Sequence, residues 1–366
     1  MDPFFFNAFD PFGLDKDLIG YARLPEYSPR RTVIMMFFNK NLPASCYRFI
    51  KLCCCLFAHR MLINNALLLK APELQGKMNP ELLKEPEKKH LIQVRGKLLS
   101  LKEPVVMGIL NATPDSFHAA SRVLDQDEAL KQAEKHLKEG AHILDLGAYS
   151  SRPGATDISE DEERRRLLPL VEKISQTFPD IPLSVDTFRS KLAREAIQAG
   201  AGMINDISSG DDDPAMLPMV AAMQVPLILM HKKGQPTTMQ INPQYQDVVG
   251  EVFDYLATKL ALCRNMGIKD ILVDPGFGFG KSLEHNFCLL NKLDVFSQLD
   301  APLLVGISRK GMIWKTLGIS SEEALNGSTV LHTLALMKGA KVLRVHDVKE
   351  AVEAVRLMAA ISDHRP

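Results

Sequence analysis

The sequence predicts an α/β protein, a (β/α)8 TIM barrel with an N-terminal hairpin and an irregular N-terminal extension. Three observations predict it. Eight short apolar runs recur between residues 105 and 347. Mixed polar and apolar stretches long enough for a helix separate them, and strand–helix alternation implies a parallel sheet. Almost every run also ends in a polar or charged residue. Barrel enzymes are written this way because their C-terminal strand ends converge on one mouth.

The runs are VVMGILN ending at Asn111, HILDLG at Gly147, PLSVDT at Asp186 and MINDIS at Asn205. PLILMH follows at His231, DILVDP at Asp274, PLLVGISRK at Lys310 and VLRVHD at His346. Between them, Ala129, Leu130, Ala133 and Leu137 keep helical spacing over 126–139, and Gly140 follows as a stop. Ser159 with Glu162 has the form of a capping box, opening a charged helix that runs toward Thr177. Further helices are expected at 190–199, 248–266, 322–338 and 348–361. The segment IQVRGKLLSL (92–101) reads as a β-hairpin with Gly96 at its turn, placed to plug the N-terminal end of the barrel.

The chain therefore divides into an unpatterned extension, residues 1–90, and a barrel domain, residues 91–366. Nine of the seventeen phenylalanines fall before residue 60, and no helical or strand period persists there. Arg48, Lys51, His59 and Arg60 interrupt its apolar run, which excludes a spanning helix of about 18 uninterrupted apolar residues. The opening MDPFFF lacks the basic start of a signal peptide. An accessory segment, a disordered tail and sequence upstream of a functional start at Met61 or Met78 all fit, and the last is favoured. Lys plus Arg equals Asp plus Glu at 44 each, so neither nucleic acid nor a membrane surface is an expected partner. Cys46, Cys53, Cys54 and Cys55 are crowded rather than paired at zinc-ligand spacing, while Cys263 and Cys288 stand alone. Reduced thiols in a cytoplasmic protein are the expectation.

The strand ends carry the chemistry. GFGFGKS (276–282) has three residues, not four, before its Gly-Lys pair, so it is not a P-loop, and Lys281 takes the third glycine of a dinucleotide fingerprint. An anion site is expected at the last two strand ends instead, where Ser308-Arg309-Lys310 closes one run. Arg344 and His346 alternate in the other, so both face the same side. Plain salt bridges are the competing reading. Asp186, Asn205 and Asp274 each end a strand. Carboxylates that accept and a carboxamide that both donates and accepts suit the amino-pyrimidinone edge of a flat heterocycle. A helix N-cap is the bland alternative for a lone strand-end Asp.

The segments MGILNATPDSF (107–117), SSRPGA (150–155), SVDT (184–187), INDIS (204–208), LMH (229–231), DPGFGFGK (274–281), VGISRK (305–310) and RVHD (344–347) resemble, in order and spacing, the motifs of the dihydropteroate synthases. The resemblance covers residues 92–366. It implies a transferase that condenses 7,8-dihydropterin-6-ylmethyl diphosphate with 4-aminobenzoate, giving dihydropteroate and diphosphate in folate biosynthesis, and a sulfonamide target. By the same resemblance Asp186, Asn205, Asp274 and Lys310 hold the pterin edge, and Met230 packs on its ring. Arg344 lies on the pterin face and joins His346, Asn111 and Ser151 around the diphosphate. Arg152, Pro153, Phe279 and Lys310 border the aminobenzoate, and Asp186, Lys310 and Arg344 are the catalytic residues. Asn111 is the implied Mg2+ ligand, loops 112–122 and 148–156 close over the site, and a homodimer is implied.

Three departures from the family pattern stand out. Ser151 replaces a Thr, Gly311 replaces the Ser or Thr that usually follows Ser-Arg-Lys, and the first loop reads FHAASR where acidic and glycine residues are usual. Without that hydroxyl, backbone N–H groups at the helix start remain for the aminobenzoate carboxylate. A pterin-dependent methyltransferase is the nearest competing enzyme, but its substrate carries no diphosphate for these cations. A degenerate pterin-binding barrel without turnover is the non-enzymatic alternative. Gly311 and the first loop are its only support.

Overall fold

A computed structural model of the chain describes residues 91–111, 122–149, 158–235 and 238–363. The extension 1–90, Ser151, Arg152, Pro153 and most of the two expected closing loops lie outside the described residues.

The hairpin is formed by β1 (Leu91–Val94) and β2 (Lys97–Ser100), paired antiparallel with Val94 opposite Lys97. Arg95 (φ 48°) and Gly96 (φ 78°) make its two-residue turn, and two consecutive left-handed residues match the twist of the strands they join. One face is apolar: Ile92 and Val94 are buried, as is Leu101 just beyond. They pack with Val105, Met107, Ile143, Met203, Ile228, Leu272, Leu304 and Val342 in a single cluster. Those eight residues stand near the N-terminal ends of barrel strands, so the hairpin closes the barrel's bottom, as expected. Each fully buried side chain of this kind contributes roughly 1.5–3 kcal/mol.

The barrel strands are β3 (Val105–Asn111), β4 (Ile143–Gly147), β5 (Leu183–Asp186), β6 (Met203–Asp206), β7 (Leu227–Met230), β8 (Ile271–Asp274), β9 (Leu304–Val305) and β10 (Val342–Val345). All pair in parallel, in the order β8-β7-β6-β5-β4-β3-β10-β9, and a Val273–Leu303 bridge closes the ring. Around them run α1 (Arg122–Lys138), α2 (Glu160–Thr177), α3 (Ser190–Gln198), α4 (Met216–Met223), α5 (Val248–Asn265), α6 (Leu283–Asn291), α7 (Gly311–Leu317), α8 (Leu325–Met337) and α9 (Val348–Asp363). A second cluster, including Leu144, Val185, Ile204, Leu229, Val273 and Leu343, joins the outer strand faces to these helices. None of the described helices is long and apolar enough to cross a membrane.

Three details differ from expectation. Ser159 Oγ accepts from Glu162 N (3.2 Å), but the Glu162 carboxylate reaches Arg165 and Arg166, and the reciprocal box forms at Ser282–His285 instead. The run expected to continue to Lys310 ends at Val305. There the chain turns, with Arg309 left-handed (φ 53°), so Lys310 is the N-cap of α7 rather than a strand end. The helix expected at 322–338 spans only Leu325–Met337; on it Leu336 is buried and Leu334 exposed, while Val355 and Met358 of α9 pack on the core.

Candidate active site

Side chains alternate along a strand, so a residue two places after one in the barrel's inner cluster faces the interior one layer higher. Ile143, Met203, Ile228, Leu272 and Val342 belong to that cluster. Two residues on stand Asp145, Asn205, Met230, Asp274 and Arg344. Asp186 joins them from β5. A layer of polar groups is thereby stacked on an apolar plug, facing the C-terminal mouth.

Arg344 organises this layer. Its Nε donates to Asp145 Oδ2 at 2.6 Å and its Nη2 to Asp186 Oδ2 at 3.0 Å. Asn205 Nδ2 donates to the same Asp145 oxygen at 3.2 Å. Burial pushes the Asp186 carboxyl up to about 7; Arg344 pulls it down and Asp145 pushes it further up. Burial also raises Asp274, against the pull of Lys310 and the hydrogen bond that Asp274 Oδ1 accepts from Gly276 N at 2.7 Å. Lys310 is lowered to about 8 by burial, with Asp274 opposing; its Nζ donates to the Phe277 carbonyl and lies 4.5 Å from the Phe279 ring centroid.

Above the layer opens a cavity of about 950 Å³, within the size range of small-molecule sites. Asn111, Asp186, Phe279, Lys310, Arg344 and His346 line it. Asn205, Met230 and Asp274 belong to the same interior layer but are buried, at 5%, 3% and 5% exposure. His346 Nδ1 is 3.1 Å from Ser308 Oγ.

The glycine-rich segment after β8 is a rigid wall. Lys281 is buried, and its ammonium lies 2.8 Å from Gly276 O, 3.1 Å from Phe279 O, 3.1 Å from His231 O and 3.0 Å from His231 Nδ1. A Cβ on Gly276 (φ 71°) would stand 1.9 Å from His231 O, so no other residue fits there. His231 is consequently no mouth residue. Burial and Lys281 lower it to about 3, leaving a neutral ring that accepts from the lysine. Arg309 is likewise not an anion ligand. It makes a two-pronged pair with Asp347 (2.8 Å each) and donates to Glu322 O (2.6 Å), which ties the turn after β9 to the end of β10.

Two residues escaped the sequence reading. Asp145 is fully buried, its Oδ1 without a hydrogen-bond partner among the described residues, yet it sits in the middle of an apolar run whose last residue alone stands out in the sequence. The signal was present, because Asp145 follows Ile143 by two and so shares its inward face. Lys281 resembles a nucleotide ligand in sequence, and its role as a staple among four acceptors depends on chain segments brought together by folding.

The profile of the pterin binding enzyme family matches residues 107–346. Dihydropteroate synthase of Escherichia coli strain K12 is 45% identical over 268 residues, covering 73% of this chain and 94% of that protein. Among solved structures, the Yersinia pestis dihydropteroate synthase in a sulfonamide drug complex superposes with a TM-score of 0.71 at 41% identity, over 75% of this chain and 100% of that one. The Xanthomonas albilineans enzyme with 4-aminobenzoic acid gives 0.71 at 40%, over 76% and 99%. The matched span carries the barrel, its polar layer and every described lining residue that motif order had singled out, and the chain belongs to the dihydropteroate synthases, a family of pterin-binding transferases.

Proposed function

We propose that this chain condenses 7,8-dihydropterin-6-ylmethyl diphosphate with 4-aminobenzoate, giving 7,8-dihydropteroate and diphosphate. One observation carries the reading: a buried layer of carboxylates and a carboxamide underlies a cavity with cations on its wall, and Asp186 and Arg344 of that layer line it. Asp186, Asn205, Asp274 and Lys310 match the donor and acceptor edge of a pterin, with Met230 against its ring. Arg344 and His346, with Asn111 and Ser151, hold the diphosphate; Arg152, Pro153, Phe279 and Lys310 border the aminobenzoate.

The methylene C–O bond breaks first, its electron pair leaving with diphosphate toward Arg344 and His346. Positive charge then develops on the methylene and spreads into the pterin. Asp186, whose carboxylate is destabilised by burial, gains most from a nearby cation, and it gains more in the transition state than in the neutral ground state. The arylamine nitrogen next bonds to the methylene, and its proton passes to water or diphosphate. No strong general base is needed.

Mg2+ fits the donor set. Asn111 offers one hard carboxamide oxygen at the cavity wall, and no cluster of three acidic, His or Cys side chains is found among the described residues. A site with one protein ligand, completed by water and diphosphate oxygens, is the usual Mg2+ arrangement. When bound, the ion would neutralise charge on the leaving group. A cytoplasmic homodimer completes the proposal. Exposed Leu334, Met337, Leu357 and Ile361 on α8 and α9 support the dimer, and sedimentation at micromolar protein tests it. The activity is tested by mass detection of dihydropteroate from the two substrates, with and without EDTA. No product with Mg2+ present would overturn the reading.

A further inference from the structure

We infer that Lys315, stacked on Trp314 at the outer end of the cavity, is the specificity-determining cation for the acceptor, recognising the carboxylate of 4-aminobenzoate. The inference rests on the acceptor reading above and adds to it a residue that motif order does not supply.

Five Lys and Arg side chains line the cavity: Lys281, Arg309, Lys310, Lys315 and Arg344. Four are already committed. Lys281 is caged by carbonyls, Arg309 is paired with Asp347, Lys310 donates to the Phe277 carbonyl, and Arg344 is shared by Asp145 and Asp186. Lys315 makes no hydrogen bond or ion pair with the described residues. Its contact is the Trp314 indole, with Nζ 5.3 Å from the ring centroid. A cation over an aromatic face keeps its full charge and its three N–H donors.

Gly311 lies directly beneath this pair. A Cβ built there would meet Lys315 Cε and Trp314 Cζ2 at 3.6 Å, and Lys315 Cδ at 3.7 Å. The lysine stem and the indole edge therefore lie over the position where a side chain at 311 would begin. Residues 311 and 315 are four apart on α7 and share one face. One turn of helix thus lacks a hydroxyl at 311 and carries an ammonium at 315 beside the same opening. Phe279 and Lys310 border the inner part of the cavity, and Lys315 is exposed at its rim. A flat aminobenzene with its amine inward presents its carboxylate toward the rim. Glu322 is on the same lining, its carboxylate accepting from Ser321 Oγ at 2.9 Å. It opposes any incoming anion that Lys315 does not neutralise, so discrimination between charged and neutral acceptors runs through Lys315.

The test is steady-state kinetics of the full chain with 4-aminobenzoate and with neutral 4-aminobenzamide, for wild type, Lys315→Gln, Lys315→Glu and Lys315→Arg. Lys315→Gln is expected to raise the 4-aminobenzoate KM about two- to fivefold, the scale of one partly exposed ion pair. Lys315→Glu raises it further and Lys315→Arg restores it. In all three, kcat and the 4-aminobenzamide KM stay put. An unchanged 4-aminobenzoate KM, or an equal rise for both acceptors, overturns the role of Lys315 while leaving the activity intact. A wild-type chain that turns over neither acceptor overturns the acceptor reading, and this inference with it. Equal melting temperatures of the variants show that folding is not what changed.

Discussion

Arg344 is at once the hub of the polar layer and the proposed diphosphate ligand, so its removal has two separable effects. Arg344→Ala is expected to slow turnover by about a hundred- to a thousandfold, the scale of losing one preorganised donor to a developing anion. It also strands the fully buried Asp145 carboxylate, and breaking such a pair costs roughly 3–5 kcal/mol. Adding Asp145→Asn should recover the melting temperature but not the rate. Recovery of both would mean that Arg344 acts only through folding. Asp186 and Lys310 set the pH dependence. The acidic group works ionised, so kcat/KM should fall as pH drops through about 7. The lysine works protonated, so it should fall again as pH rises through about 8. Asp186→Asn is nearly isosteric but removes the charge that the cationic methylene needs. The residual rate of this variant, lower by about a hundredfold or more on the electrostatic scale just used, should have lost its acidic limb. A limb that persists would assign it to another group.

Two elements frame the site from opposite ends. The hairpin β1–β2 closes the bottom, and Ile92 at its centre is fully buried among residues of seven barrel strands. Ile92→Ala should cost about 2–5 kcal/mol by thermal or denaturant unfolding, with kcat little changed because the plug lies below the polar layer. At the mouth, α7 begins with Gly311, whose backbone is not left-handed and whose Cβ position is in ordinary contact with its neighbours. Glycine is thus not required there for torsion. Gly311→Ser should keep its melting temperature and leave pterin binding as it was. It should lower the KM for 4-aminobenzoate a few-fold and tighten sulfonamides that mimic it, since one added hydrogen bond gives about 0.5–1.5 kcal/mol. Little effect on kcat is expected, because the carboxylate is held alike in ground and transition states. A folded variant with unchanged KM would remove position 311 from the site.

Across the whole molecule, coherent patterning begins at the hairpin, and every described element of the barrel lies beyond residue 90. A chain begun at Met78 is therefore expected to stay soluble and keep its turnover, checked by the same product assay and by gel filtration; loss of either would show that the extension serves the enzyme. The sequence by itself determined the barrel, the hairpin plug and the identity of most of the polar layer. These follow from local periodicity: a two-residue alternation puts Asn205 above Met203 and Asp274 above Leu272 whatever the rest of the chain does. Motif order then singled out the cavity-lining Asn111, Asp186, Phe279, Lys310, Arg344 and His346. Only the tertiary structure decided which charges are spoken for. Arg309 and Arg344 look alike as strand-end cations, yet Asp347 takes one and the two carboxylates of the layer share the other. His231 and Lys281 are 50 residues apart and neutralise each other's claim to the mouth, and Lys315 stays available because no carboxylate of the described fold comes within its reach. Pairing of charges depends on distances of a few ångströms between segments far apart in sequence, and no local period encodes them.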